Sequence, residues 1–322
     1  MIHHFIINPA AGKGTQVEAL KKEIQTVCET NAVLYDIYIT QKPHDATEYT
    51  KKCLSEDEGE THRFYACGGD GTLSEVLNGT ELSDHAEIAL IPIGTGNDFC
   101  RNFDNNDYFL DIKRQLDGTP RKIDVITYNG KYCANMINIG FDCDVVKRAA
   151  KIKNRMWIPT ELSYVFSVII TLFKKFGKKI RIEFEDGTVI DKSLLLTAIA
   201  NGQYCGGGYD AAPRAMINDG LIDLCVVRKL RRFTFLSLVS KYRAGTHLES
   251  KIGKKYISYY RRSAVKLSFE KEMDVCIDGE IERHTSLDIG IMREAIDFSV
   301  PNGCNMLEKA DMSAIKHDSS TT

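Results

Sequence analysis

Five residues, Gly68-Gly69-Asp70-Gly71-Thr72, stand directly behind the apolar run Phe64 to Cys67 and directly before a helical stretch, and no other segment constrains the fold as much. Three glycines admit positive φ and let main-chain N–H groups approach phosphate oxygens at the positive end of the following helix. An Asp within such a loop cannot attract phosphate by its own charge, so it reads as a group that organises Mg²⁺ through water or orients the loop. Strand, glycine loop and helix together are the repeating unit of a parallel α/β sheet.

The remainder of the first 125 residues repeats that unit. His4 to Asn8, Val33 to Tyr38, Arg63 to Cys67 and Glu87 to Pro92 read as strands, and Thr15 to Thr30, His44 to Leu54 and a stretch starting at Leu73 to Asn78 read as helices. Such alternation predicts helices on both faces of a parallel sheet and ligands at the carboxyl ends of its strands. Two more loops rich in Gly and Asn stand at that end: Asn8-Pro9-Ala10-Ala11-Gly12-Lys13-Gly14 and Gly94-Thr95-Gly96-Asn97-Asp98. The first is not a Walker loop, because Ile7 and Gly14 stand where that pattern needs Gly and Ser or Thr, and the GxGxxG of a dinucleotide fold is absent.

From about residue 123 the texture becomes β-rich. Ile123 to Tyr128 and Cys133 to Ile139 flank Asn129-Gly130, and Lys179 to Glu185 and Val189 to Leu196 flank Asp186-Gly187, both strong hairpin signals. Leu221 to Val227, Val265 to Phe269, Met273 to Ile277 and Ala295 to Val300 read as further strands, and Leu162 to Phe176 and Phe233 to Gly245 as helices. The expected second unit is an antiparallel sandwich or barrel over residues 126 to 300, after a first unit over residues 1 to 125. The polar tail after Leu307 reads as frayed, with the segment from about 301 to 322 free to pack back on the first unit.

Charge divides the chain. Residues 1 to 146 carry 13 Lys and Arg against 23 Asp and Glu, whereas residues 147 to 262 carry 23 against 9, a strongly basic block inside a chain of net charge −2. Lys174, Lys175, Lys178 and Lys179 follow an apolar run, a combination that suits anionic lipid head groups or nucleic acid. No nucleic-acid motif accompanies them, and the expected partner is an anionic lipid surface, with Trp157 as a candidate interface anchor. The ten cysteines are scattered singly, with no CxxC pair, which argues for reduced thiols in a cytoplasmic protein, and the basic block adds the expectation that it is peripheral to the membrane. The longest apolar run, Tyr164 to Phe173, is about half of a bilayer span. The sequence leaves open whether the chain is a monomer or a homodimer.

The loops AsnProAlaAlaGly, GlyGlyAspGlyThr and GlyThrGlyAsnAspPhe, with Thr40 and Asp45-Ala46 between them, resemble those of the soluble bacterial lipid kinases of the diacylglycerol kinase catalytic-domain family, relatives of sphingosine and ceramide kinases. The likeness continues through Asp124, Pro213, Asn218-Asp219-Gly220-Leu221-Ile222-Asp223 and Asp278-Gly279-Glu280, and covers roughly residues 4 to 300. It implies an α/β N-terminal domain like those of 6-phosphofructokinases and NAD kinases, a β-sandwich C-terminal domain, and a lipid site in the cleft between them. It places ATP on Asn8, Pro9, Ala10, Ala11, Gly12, Thr40, Gly68, Gly69, Asp70, Gly71, Thr72, Leu73, Ser74 and Thr95. Asp70, Asp98 and Asp124 resemble a water-linked Mg²⁺ network, and the Asp219 carboxylate with the carbonyls of Met216 and Leu221 a second, structural Mg²⁺ site. Glu280 stands where the family's proton acceptor is proposed, and Asp278 where a group would assist it or bind metal.

Phosphoryl transfer to an alcohol needs a base near the attacking hydroxyl and metal ions on the phosphoryl group, which this set of residues can offer. Asp278-Gly279, like Asp219-Gly220, is also a common hairpin turn. Cys205-Gly206-Gly207-Gly208 reads equally as a cleft wall or as a flexible loop without contacts. The expected activity is ATP- and Mg²⁺-dependent phosphorylation of diacylglycerol or a related lipid. The rivals are an NAD kinase, which shares the GlyGlyAspGly loop but gives no reason for the first loop, and a non-catalytic lipid-binding module on the same fold.

Overall fold

A computed structural model describes residues 1–12, 16–56, 59–141, 143–145, 147–148 and 177–307. Trp157, Lys174, Lys175, the stretch Leu162 to Phe176 and the tail from 308 onward lie outside these residues. In the first half, β1 (Ile2–Ile7), β2 (Tyr35–Ile39), β3 (His62–Gly68) and β4 (Ala86–Pro92) form a parallel sheet in the order β2-β1-β3-β4. Side chains alternate across it, as a pleated strand requires. Phe5 and Ile7 pack with Leu20, Ile24 and Cys28 of α1 (Val17–Thr30), while Ile6 faces the layer built by α2 (Asp45–Glu56) and α3 (Asp70–Thr80). Leu73, Val76 and Leu77 of α3 give that layer its apolar stripe at helical spacing. Arg63 and Glu87, neighbours across β3 and β4, form a buried ion pair at 2.7 Å, and Arg63 also caps the carbonyls of Gln115, Leu116 and Gly118.

The second half is antiparallel. β5 (Thr119–Tyr128) turns through Asn129 and Gly130, both at positive φ, into β6 (Lys131–Cys133). β8 (Lys178–Phe184) turns through Asp186-Gly187 into β9 (Val189–Ala200). β7 (Met136–Gly140), β12 (Ile222–Arg228) and β13 (Ile257–Arg262) extend the sheet, and α5 (Arg232–Arg243) and α6 (Lys251–Tyr256) cover part of it. The interior between the strand layers holds Ile137, Ile182, Ile199, Leu224, Leu267 and Val275 among others.

Three features depart from the sequence reading. Val265 to Phe269 and Met273 to Ile277 belong to one strand, β14 (Ala264–Ile277), with an irregular register between Ser268 and Met273. Cys133 to Ile139 is interrupted at Ala134 and Asn135, whose N–H groups leave the ladder for the carboxylate of Asp278. Ala295 to Val300 is only the end of β15 (Glu280–Val300), which pairs with β14 and β5 and then lies parallel to β4 at Asp297 and Phe298. Both halves therefore share a 13-stranded sheet, and Ile296, Phe298 and Val300 enter the core of the first half. The last strand of the second half thus ends in the core of the first. Residues 302–307 pack back on the first half: Arg114 and Asn302 exchange hydrogen bonds, and Leu307 N–H donates to Asn102.

Each half buries an imidazole whose pKa is pushed down to about 4. Burial is the leading cause at His3, aided by Arg63, and burial is again the leading cause at His247. Both rings are neutral in the fold at pH 6, whereas in the unfolded chain they titrate near their ordinary value. Their contribution to stability is therefore complete above about pH 6.5 and lost as pH falls towards 4, with a slope of up to ~1.4 kcal/mol per pH unit for each ring. Urea unfolding midpoints measured from pH 7.5 to 4.5 should fall accordingly, and the fall should be shallower in a His3→Gln, His247→Gln variant.

Candidate active site

Three loops leave the carboxyl ends of β1, β3 and β4 and pack against one another. Gly94 N–H donates to the Gly68 carbonyl at 3.1 Å, and a Cβ on Gly94 would fall 2.4 Å from the Cα of Gly69. Gly12, at φ +59°, lies so close to Ile93 that a Cβ would stand 2.5 Å from its carbonyl oxygen. Asn8 ties the first loop to the second, its side-chain amide donating to the Thr72 hydroxyl at 3.1 Å and its Oδ1 accepting the Ala10 N–H at 2.9 Å. Pro9, Ala10, Gly12 and Thr95 are exposed at this rim, and Ser74 is half-buried.

The helix α3 begins in the loop itself, at Asp70 and not at Leu73, because Gly69 acts as its N-cap with an extended backbone. The first N–H groups of α3 are thereby turned out of the helix end, where an anion is favoured. Two of the residues assigned to nucleotide serve differently. Leu73 is buried in the core, so only its main chain can face a ligand, and the buried Thr40 hydroxyl donates to the Ile7 carbonyl at 3.4 Å.

Asp70 and Asp98 converge on Gly96, where a Cβ would lie 3.2 Å from Asp70 Oδ2 and 3.5 Å from Asp98 Oδ2. Asp70 accepts the N–H groups of Asp98 and Phe99, both at 3.0 Å, and Asp98 accepts those of Gly207 at 2.9 Å and Gly208 at 2.7 Å. Burial pushes both carboxyls up, and at Asp98 burial together with the charge of Asp70 brings the pKa to about 6. A buried pair of carboxylates in which one raises the other in this way suits a divalent cation. Arg101, with Nε 3.6 Å from Asp98 Oδ1, partly offsets their charge. The sequence reading did not single out Arg101, although its position three residues after Asp98 is the signal. Gly206, Gly207 and Gly208 all have positive φ, so the glycine run has a contact role: it wraps two N–H groups around Asp98.

Across from α3 stands the turn between β14 and β15. Glu280 Oε1 lies 3.1 Å from the point that a Cβ on Gly71 would occupy, so the exposed carboxylate of the second half meets the glycine loop of the first. Asp278, two residues earlier, does not join it as a metal ligand or catalytic partner. Asp278 is buried at φ +44° in the hairpin turn, and its carboxylate accepts Ala134 N–H at 2.8 Å, Asn135 N–H at 3.0 Å, Met136 N–H at 3.1 Å and the Cys133 thiol at 3.2 Å. The turn reading of Asp278-Gly279 thus holds as well, and Asp278 is a positioning residue.

Asp124, the third carboxylate expected in that network, also has main-chain donors on both oxygens. It is buried with its two oxygens on Gly220 N–H at 2.6 Å and Glu294 N–H at 2.8 Å, clamping the turn before β12 to an irregularity in β15. The expected second ion site does not fit either. The Asp219 carboxylate is paired with the guanidinium of Arg261 and accepts Leu221 N–H at 3.1 Å, so a cationic side chain already holds the charge that would bind Mg²⁺. Met216 and Leu221 flank this turn at half-buried positions. Among the described residues no three His, Cys, Asp or Glu side chains converge as a metal cluster, and Asp70 and Asp98 are the carboxylates that the loops bring together.

Comparison with known proteins places both halves of the chain. Residues 3–128 match the model of the diacylglycerol kinase catalytic domain, and residues 135–299 that of the YegS C-terminal NAD kinase beta sandwich-like domain. The chain is 27% identical over 283 residues to the diacylglycerol kinase of Bacillus subtilis (strain 168), covering 85% of this chain and 88% of that protein. It is 25% identical over 286 residues to a protein of Shewanella frigidimarina (strain NCIMB 400) named as a probable YegS-like lipid kinase, covering 84% and 86%. A crystal structure of a diacylglycerol kinase from Bacillus anthracis str. Sterne superposes with a TM-score of 0.72 at 24% identity, over 93% of this chain and 97% of that one, which speaks to the fold. With both domain models matched in order over a shared sheet, the chain belongs to the diacylglycerol and YegS-like lipid kinase family.

Proposed function

We propose that the protein transfers the terminal phosphoryl group of ATP to the hydroxyl of diacylglycerol or a related lipid, with Mg²⁺ as its cation. The observation that carries this reading is the approach of Glu280 to Gly71, which sets a carboxylate base beside a helix N-terminus flanked by two further carboxylates. Mg²⁺ and ATP together supply a transferable phosphoryl group with its charge partly neutralised. The chain supplies the rest. Main-chain N–H groups of the loops at Asn8 to Gly12 and Gly68 to Ser74, with Thr95 at the rim, would hold the nucleotide, and Asp70 and Asp98 the cation. Glu280 takes the proton of the lipid hydroxyl as that oxygen attacks, and Asp278 fixes the turn from which Glu280 reaches out. A panel of lipid alcohols offered with labelled ATP, each with and without Mg²⁺, tests the reading. Phosphate transferred to water alone, to NAD, or to nothing would overturn it.

Access to a lipid acceptor implies binding at the membrane surface, and no helix among the described residues is long and apolar enough to cross a bilayer. Of the four lysines considered for that contact, Lys174 and Lys175 lie outside the described residues. Lys178 is paired with Asp144 at 2.7 Å and Lys179 with Glu270 at 2.7 Å, which offsets their charge.

Two substitutions separate the roles of the neighbouring carboxylates. Glu280→Gln should lower kcat by ~10² to 10⁴ while ATP affinity and melting temperature stay near wild type. Asp278→Asn exchanges an oxygen acceptor for an amide against N–H donors, and should lower the melting temperature together with kcat, since it loosens the turn. A third substitution, Asp219→Asn, breaks the pair with Arg261. The melting temperature should fall, but its rise on adding Mg²⁺ with ATP should equal that of wild type. A lost Mg²⁺ response would restore the second ion site.

A further inference from the structure

The outward side of α5 is built unlike the rest of the described surface. Phe235, Leu238 and Tyr242 turn inward, Phe235 against Phe141 at 4.6 Å between ring centroids, so the helix is already anchored by one apolar stripe. Phe233, Leu236, Ser237 and Ser240 form a second stripe at spacing i, i+3, i+4, i+7, and all four are exposed. Phe233 is 87% exposed, more than any other large apolar side chain among the described residues, and Leu236, one turn on, is 52% exposed. Leaving both in water is costly, and a second apolar stripe adds nothing to the packing of the helix itself.

The charges beside this stripe have one sign. From Arg228 to Tyr256 the sequence holds nine Lys and Arg and one acid, Glu249, which is itself paired with Arg214 at 2.9 Å. Arg231 is the N-cap of α5 and Arg232 its first residue, with no acid in the first turn, so the cations stand at the positive end of the helix dipole. A cation such as Arg231 at that helix end is favoured beside an anionic surface. Arg228 donates to the main-chain oxygen of Lys255, which leaves its charge uncompensated.

We propose that the N-terminal half of α5 docks the protein on bilayers containing anionic lipid, with Phe233 and Leu236 set among the head groups and Arg228, Lys229 and Arg231 on lipid phosphates. Two apolar side chains one turn apart in a cationic collar fit an interface that is apolar below and anionic at its rim. The surface is also joined to the candidate active site. The end of α5 leans on the strand Tyr209–Asp210, with Arg243 5.6 Å from the Tyr209 ring and Gly245 against the Asp210 carboxylate. The turn before that strand carries the Gly207 and Gly208 N–H groups that hold Asp98. The proposal rests on the lipid kinase reading, because it supplies that enzyme's route to an acceptor within a membrane.

The test uses the full chain with phosphatidylcholine vesicles, with and without about 30 mol% phosphatidylglycerol. Phe233→Ser with Leu236→Ser should lower partitioning onto the anionic vesicles about tenfold, and Lys229→Ser with Arg231→Ser should flatten its dependence on salt. All ten native cysteines are buried, so a Leu236→Cys variant can carry a polarity-sensitive dye at that position, and its emission should shift to the blue on anionic vesicles alone. Unchanged partitioning of the double variant, or an unshifted dye, overturns the proposal. So does a protein dimer, or a complex with duplex DNA or RNA, that protects the dye while vesicles do not. Phosphorylation of a short-chain diacylglycerol dissolved as monomers should be the same in wild type and the Phe233→Ser, Leu236→Ser variant. Absence of that activity in both would count against the kinase reading, and partitioning would still decide the docking surface.

Discussion

The carboxylate of Asp278 sets the turn from which the second half presents Glu280 to the first. A buried charge is costly unless donors surround it, and here three consecutive main-chain N–H groups and a thiol do so. Burial still outweighs these donors and holds the carboxyl above its ordinary pKa, so the arrangement contributes specificity more than stability. It fixes the gap between β6 and β7 against the turn between β14 and β15. The turn in turn fixes Glu280, and Gly71 has no side chain to prevent the approach. The loops of the first half could fold without this contact, but they would have no carboxylate of the second half facing them.

Four aspartates near Gly residues look alike in the sequence and divide by environment into two kinds. Asp124 and Asp278 are enclosed by backbone donors and act as joints between strands. Asp70 and Asp98 also receive two N–H groups each, yet they turn towards one another across Gly96, and their mutual repulsion raises the cost of being ionised together. That cost is relieved by a cation, and the joints have no such need. Carboxylates that face one another and carboxylates enclosed by the backbone are thus separated by their surroundings, and motif spacing does not carry that information.

Much of the architecture was legible because it depends on local chemistry. The apolar runs ending in Gly, Asn or Asp became β1, β3 and β4 with their loops, and Asn129-Gly130 and Asp186-Gly187 became hairpins because both turns use residues that tolerate positive φ. What depends on distant partners was not legible. Ala295 to Val300 has the same texture whether it ends a sandwich or crosses into the first core, and only pairing with β4 and β5 decides. Asp219 looks like a ligand until Arg261, 42 positions later, is brought onto it. The glycine run at 206 to 208 has no meaning until Asp98 is beside it. Phe233 sits in a pattern that predicts a helix whichever face is buried, so its exposure had to come from the fold.

The division of charge follows from these placements. The first half carries the larger excess of acid, yet it presents the loops suited to a polyphosphate. Its attraction for phosphate must therefore come from main-chain N–H groups and a helix end, which act over about one turn, and not from long-range charge. Such a site binds phosphate in company with cations, and Asp70 and Asp98 stand where a cation would join them. The basic block behaves in the opposite way, because its field reaches about a Debye length, ~8 Å at physiological salt, and needs no exact geometry. A short-range site suits a small ligand that must be held in one pose, and a long-range field suits a surface that must be found but not oriented. The strand Tyr209–Asp210 lies between the two, and on the proposed reading adsorption would bring the acceptor to the loops that hold the nucleotide.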